Sequence, residues 1–189
     1  MMQVLGFAAL VFMCGWADGR KYTDILYVTN GQTWGDWHAI EMCPTGTFGR
    51  GFSIKMEEYQ GKVDDTSVNG IRLYCTGTKY DKVHTVESGA GGWGHWMPTI
   101  WCPGVMLSFS LKVDPKHGKH GDDTAVNNIK FYCSSGIIIE GNGGKMGTYG
   151  PWSASCAKGI CGIQTRVEGP QWLGDDTALN DAQLLCCNV

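Results

Sequence analysis

The sequence predicts an all-β domain, a prism of three sheets set around an internal pseudo-threefold axis. Three observations lead there. GDDTAVNNIKFYC at 121–133 returns as DDTSVNGIRLYC at 64–75 and as DDTALNDAQLLC at 175–186, its first Asp always eleven positions before a Cys. A run of alternating apolar and polar residues precedes each copy. No stretch after residue 17 has a convincing helical period.

Repetition sets the architecture before any single motif does. The first repeat, approximately 22–80, carries WGDW at 34–37, Cys43, GFSIKM at 51–56 and the element ending at Cys75. The second, 81–136, carries WGHW at 93–96, Cys102, LSFSLKV at 107–113 and the element ending at Cys133. The third, 137–189, carries MGTY at 146–149, Cys156, GIQTRVE at 162–168 and the element ending at Cys186, and it diverges most. Phe52, Ile54 and Met56 alternate with Ser53 and Lys55, and Leu107, Phe109, Leu111 and Val113 with Ser108, Ser110 and Lys112. Period two is the mark of a strand with one dry face. The repeated element alternates too, with Ile71, Leu73 and Cys75 on one side and Arg72 and Tyr74 on the other. Three units of about four short strands suggest three sheets that share one core. A propeller is the competing repeat architecture, and it normally needs at least four blades.

The first segment is read apart from the domain. Val4 to Cys14 is an apolar run too short for the roughly 20 residues of a membrane span. It suits the apolar region of a secretory signal, with Gly15 and Ala17 as the small residues before a cleavage site. Segment 1–17 is therefore expected to be a signal peptide, and 18–189 a single β-prism domain. No later stretch resembles a membrane span. The net charge of −3, without a Lys/Arg stripe, excludes a nucleic-acid footprint.

Nine cysteines become eight once Cys14 leaves with the signal, and an even number in an exported chain implies full pairing. Symmetry pairs Cys43 with Cys75 and Cys102 with Cys133. In the third repeat, Cys156–Cys187 best preserves the sequence separation and leaves Cys161–Cys186, whereas strand register favours Cys156–Cys186. Adjacent Cys186 and Cys187 point to opposite faces of a strand, so their partners must differ.

Several residues invite a functional reading. Asp64, Asp65, Asp122, Asp123, Asp175 and Asp176 could serve carbohydrate chemistry, which uses paired carboxylates. Threefold repetition favours a structural role instead, because Asp, Thr and Asn side chains set turns by bonding nearby backbone N–H groups. Their spacing lacks the Asp-x-Asp-x-Asp-Gly pattern of an EF-hand loop. Trp34, Trp37, Trp93 and Trp96 could stack on sugar rings, although packing under each sheet is the favoured reading. Trp101, Trp152 and Trp172 fall outside the repeated pattern and suit an individual surface role. GAGGWG at 89–94 matches a dinucleotide fingerprint only formally, since no βαβ unit surrounds it. His117 and His120 lie in a Gly/Lys-rich loop without further ligands, so no metal site is expected. No G-x-S-x-G element is present.

Together the WGxW segments, the DDTxxN segments and the terminal Cys186–Cys187 resemble the vitelline membrane outer layer protein 1 family, from about Tyr22 to Cys187. The resemblance implies a β-prism of three Greek-key sheets, four disulfides and secretion. It also implies a transferase activity on N-acetylchito-oligosaccharides, for which no catalytic motif carries over onto particular residues. The expected function is a secreted, disulfide-stabilised component of an extracellular coat or secretion that interacts with glycans or glycoproteins, without a cofactor. The alternative is a carbohydrate-active enzyme, an N-acetylchito-oligosaccharide transferase or hydrolase with acids in a cleft. A third reading is a lectin without turnover. Acids outside the repeated element are Glu41, Glu57, Glu58, Glu87, Glu140 and Glu168. No feature of the sequence sets an oligomeric state.

Overall fold

The computed structural model describes residues 20–57, 68–77, 82–114, 125–169 and 179–189. Segment 1–17, the six aspartates of the DDT segments, Glu58, His117, His120 and Trp172 lie outside those residues. Among the described residues the regular elements are all strands. In chain order they are β1 (Asp24–Leu26), β2 (Asp36–Trp37), β3 (Glu41–Met42), β4 (Phe48–Met56), β5 (Val68–Thr76), β6 (His84–Glu87) and β7 (His95–Trp96). There follow β8 (Ile100–Trp101), β9 (Met106–Val113), β10 (Val126–Cys133), β11 (Ile138–Glu140), β12 (Thr148–Tyr149), β13 (Ile160–Val167) and β14 (Leu179–Cys186).

Three antiparallel sheets form around three long hairpins, β4–β5, β9–β10 and β13–β14. In the second sheet the order is β11-β10-β9-β12, so the fourth strand returns beside the first. This is a Greek key. The first sheet repeats it as β6-β5-β4-β7, with β8 continuing the β7 edge along β4. The third sheet reaches the same arrangement from both ends of the chain. Its order is β1-β14-β13-β2, with β3 also on β13. The N-terminal strands thus complete the sheet of the C-terminal hairpin.

Repeat and sheet are therefore out of phase. The Trp-Gly segment of each repeat lies on the sheet before its own hairpin: β2 on β13, β7 on β4 and β12 on β9. The sequence suggests one unit per sheet, whereas each unit spans two sheets and ties them together.

The dry faces meet in one core. Phe52, Ile54, Ile71 and Leu73 come from the first sheet, Phe109, Leu111, Ile129 and Phe131 from the second, and Ile163, Ala182 and Leu184 from the third, all fully buried or nearly so. Phe131 packs against Phe52 at 4.8 Å and Phe109 at 6.5 Å between ring centroids. Burying each such ring contributes about 2–3 kcal/mol. The third sheet adds no aromatic ring to this core, which fits its divergence in sequence.

The disulfides are Cys43–Cys75, Cys102–Cys133, Cys156–Cys186 and Cys161–Cys187. The last two correct the expected Cys156–Cys187 and Cys161–Cys186. Strand parity decides the pairing, not sequence separation. Cys186 ends β14 as Cys133 ends β10, with Cys75 one residue from the end of β5, and it faces the main core with Cys156. Cys187 turns to the other side. There it forms a second apolar cluster with Cys161 and Leu185, covered by Met42 and Phe48.

Candidate functional site

The Trp-Gly segments owe their form to the backbone. Gly35, Gly94 and Gly147 have φ of 73°, 76° and 75°, a region glycine adopts without steric cost. A Cβ at each would lie 2.2–2.3 Å from the carbonyl oxygen of Val167, Met56 or Val113 on the neighbouring long strand. Only glycine lets the chain turn there and begin the short edge strand. The next aromatic then stands opposite a basic residue: Trp37 opposite Arg166, Trp96 opposite Lys55, Tyr149 opposite Lys112. Each base ties its own turn. Arg166 Nε donates to the Gly35 carbonyl at 2.9 Å, Lys55 Nζ to Gly91 at 2.8 Å, and Lys112 Nζ to Lys145 at 2.8 Å.

The leading tryptophans do not pack under the sheets. Trp34 and Trp93 are 45% and 52% exposed, and Trp37 is also exposed. Trp96 is half-buried because the Arg72 guanidinium lies over its ring, 4.0 Å from the centroid.

That contact belongs to a cluster on the wet face of the first sheet. Arg72 donates to Glu87 at 2.7 Å, its cross-strand neighbour on β6. Two residues along β5, Tyr74 meets Trp101 at 5.7 Å between ring centroids. Gly51 lies between them in register, and a Cβ there would fall 2.8 Å from the Trp101 ring. Burial acts to raise the Tyr74 phenol, but hydrogen bonds with Ser53, Thr99 and Arg72 outweigh it and lower its pKa.

The second sheet carries a matching set. Lys130 and Tyr132 occupy the positions of Arg72 and Tyr74, and Glu140 stands opposite Lys130 as Glu87 stands opposite Arg72. The Lys130 ammonium lies 4.1 Å from the Tyr149 ring and 5.1 Å from the Trp152 ring. The Tyr149 hydroxyl donates to Glu140 at 2.9 Å. Burial, and then Glu140, raise the Tyr149 pKa, so this phenol keeps its proton. Trp152 meets Tyr132 edge-on at 6.3 Å. Trp101 and Trp152 are 46% and 39% exposed, so part of each indole faces water, Trp101 beside Tyr74 and Trp152 beside Tyr132 and Lys130.

The third sheet departs from this pattern. Gln183 replaces the cation, and Leu185 replaces the tyrosine and is buried in the second apolar cluster. Its notable group is Asp181, opposite Arg166. The equivalent residues are Gly70 and Asn128. Burial raises the Asp181 carboxyl to about 6, although the Ala182 N–H and Arg166 favour its charged form. It packs directly over Gly31.

Of the residues singled out in the sequence, Trp96 joins the first cluster, and Trp34, Trp37 and Trp93 lie outside both clusters. Glu87 and Glu140, which look unrepeated in sequence, are equivalent in register; loops of unequal length hide this. Arg72, Tyr74, Lys130, Tyr132 and Asp181 were not singled out as site residues. The signal for the first four was their recurrence at matched polar positions of the repeated element. Among the described residues, no group of three or more His, Cys, Asp or Glu side chains could hold a metal ion, and no helix is long and apolar enough to cross a membrane.

The fold resembles that of plant lectins at low identity. The Calsepa lectin, solved in complex with a bisected glycan, aligns with a TM-score of 0.55 at 17% identity, over 90% of this chain and 100% of that one. Two proteins named vitelline membrane outer layer protein 1 homolog are far more similar in sequence. The mouse protein is 52% identical over 171 residues, 88% of this chain and 85% of its own. The human protein is 50% identical over 181 residues, 93% of this chain and 89% of its own. The family profile described as vitelline membrane outer layer protein I matches residues 24–189. With a pseudo-threefold prism, four disulfides and this degree of identity, the chain belongs to the vitelline membrane outer layer protein I family.

Proposed function

We propose that the protein is secreted through cleavage of segment 1–17 and acts as a disulfide-locked component of an extracellular coat or secretion, engaging glycans or glycoproteins. The observation that carries this reading is the pair of aromatic–ionic clusters on the wet faces of the first and second sheets. An exposed indole offers a flat apolar surface to the C–H face of a pyranose ring. A neighbouring carboxylate accepts hydrogen bonds from sugar hydroxyls, and a neighbouring cation donates to them. Family membership supports the extracellular setting, and so do four disulfides, which persist in oxidising compartments. The test is capture of the purified, oxidised chain on immobilised neutral and sulfated glycans and on glycoproteins. Retention on glycans, lost in a Trp101→Ala/Trp152→Ala variant that melts normally, supports the reading. Retention unchanged in that variant removes the clusters from it.

One observation favours a second reading, glycosyl transfer or hydrolysis. Asp181, half-buried opposite Arg166 with a carboxyl raised to about 6, would give and take a proton near neutrality as one acid of the pair such chemistry uses. Chain lengths of N-acetylchitohexaose after long incubation, read by mass spectrometry, test it. New oligomers that vanish in Asp181→Asn support turnover, and an unchanged hexaose rejects it for this substrate.

A further inference from the structure

We propose that the protein is bivalent, with two separate sites of one design for neutral glycans, one on the wet face of the first sheet and one on that of the second. This deepens the glycan-binding reading and rests on it. The first site is Arg72, Glu87, Tyr74 and Trp101; the second is Lys130, Glu140, Tyr132 and Trp152. Cation and carboxylate face each other across adjacent strands in both, at corresponding registers. In both, an indole from a following segment packs on the tyrosine two residues beyond the cation. The two indoles come from different places in their repeats, yet they reach equivalent tyrosines. The third sheet has neither the cation nor the tyrosine at these positions, so the design is present on two sides of the prism.

The ligand class follows from the charges. Each site holds one cation beside one carboxylate, and the further cations on these faces, Lys55 and Lys112, are tied to loop carbonyls, so neither site is a dense basic patch for a sulfate or carboxylate group. Hydroxyls and amides can use both partners at once, and the exposed indole takes the apolar face of the ring. Neutral pyranosides fit this chemistry, and their binding should change little with salt, unlike that of an anionic glycan on a basic patch. Dry faces that share one core turn the two wet faces outward on different sides. A short oligosaccharide therefore occupies one site, while two sites on one rigid body let the protein bridge separate glycan chains.

Calorimetric titration of the full oxidised chain with N-acetylchitotriose, and separately with mannotriose, tests the proposal. The expected result is two sites per chain for at least one of these sugars. One site should remain in Trp101→Ala and in Trp152→Ala, and none in the double variant. Trp101→Phe and Trp152→Phe should keep binding, and melting curves show whether each variant is folded. Beads coated with the bound sugar should be bridged by the parent chain and merely coated by either single alanine variant. A stoichiometry of one, or single variants that keep two sites, overturns bivalency and leaves glycan binding standing. Heat in neither titration, with no retention on any immobilised glycan, overturns both.

Discussion

Gly94→Ala should be among the most damaging surface substitutions in the molecule, and its cost can be worked out in parts. At φ of 76° an alanine carries left-handed strain of about 1–2 kcal/mol. Its Cβ would also lie 2.3 Å from the Met56 oxygen and 2.6 Å from the Glu57 nitrogen, and both are backbone atoms. Relief requires β7 to move off β4, which sacrifices the Lys55–Trp96 and Met56–His95 pairing. Each backbone hydrogen bond lost there costs about 1 kcal/mol. The total is about 3–5 kcal/mol. Two other glycines separate the contributions. Gly46 has φ of 80° with nothing near its would-be Cβ, so Gly46→Ala should cost about 1–2 kcal/mol from strain alone. Gly92 lies in the same loop as Gly94, with open space and no positive φ, and Gly92→Ala should stay within about 0.5 kcal/mol of the parent. Urea unfolding with disulfides intact measures all three. If Gly94→Ala and Gly92→Ala unfold at the same midpoint, the account of the Trp-Gly turn is wrong.

Other outcomes follow from the same structure. Because burial raises Asp181 to about 6 from the ordinary carboxyl value of 3.8, its contribution to stability is fully present below about pH 4 and lost as pH rises through 6. Asp181→Asn, which copies Asn128, should therefore exceed the parent in stability above pH 6 and match it near pH 4. The gain is about 1–2 kcal/mol once partial exposure is allowed for, and thermal melts across pH read it. Removing the Cys161–Cys187 bridge with paired serines opens a loop of 26 residues and should cost about 3–4 kcal/mol in denaturant titrations, with the other three bridges still formed. In Cys161→Ser alone, alkylation should label Cys187 and spare Cys186, as fragment masses would show. Arg20 donates to the carbonyls of Cys43, Pro44, Thr47 and Val189 and lies over the Phe48 ring, joining the two ends of the described chain. Arg20→Ala should lower stability by about 1–3 kcal/mol and speed hydrogen exchange in β1 and β14 first, and equal exchange would refute the clamp.

The all-β class and the threefold plan were legible because they rest on local periodicity. Alternation of Ile71, Leu73 and Cys75 with Arg72 and Tyr74 states which side of β5 is dry, and the same pattern returns in β10. The phase between repeat and sheet was not legible, since which strand accepts a short edge such as Asp36–Trp37 depends on contacts more than a hundred residues away. The third-repeat disulfides were half legible. Register pointed to Cys156–Cys186 and separation to Cys156–Cys187, and side-chain direction outranks loop length in a strand. The clusters were hidden for a different reason. Glu87 and Glu140 lie at unequal distances from their repeated elements, so only pairing across strands makes them equivalent. Asp181 was not singled out, although it is the acid standing where the other repeats have Gly70 and Asn128.

The central claim is that the aromatic–ionic clusters meet sugar. Indole N–H resonances of the ¹⁵N-labelled chain, followed while N-acetylchitohexaose is added, test it most directly. The account predicts that the Trp101 and Trp152 signals move together and furthest, with both responses lost when Arg72 and Lys130 are replaced by alanine. Shifts confined to Trp34 and Trp93, or no shift at Trp101 and Trp152 under saturating sugar, would contradict it.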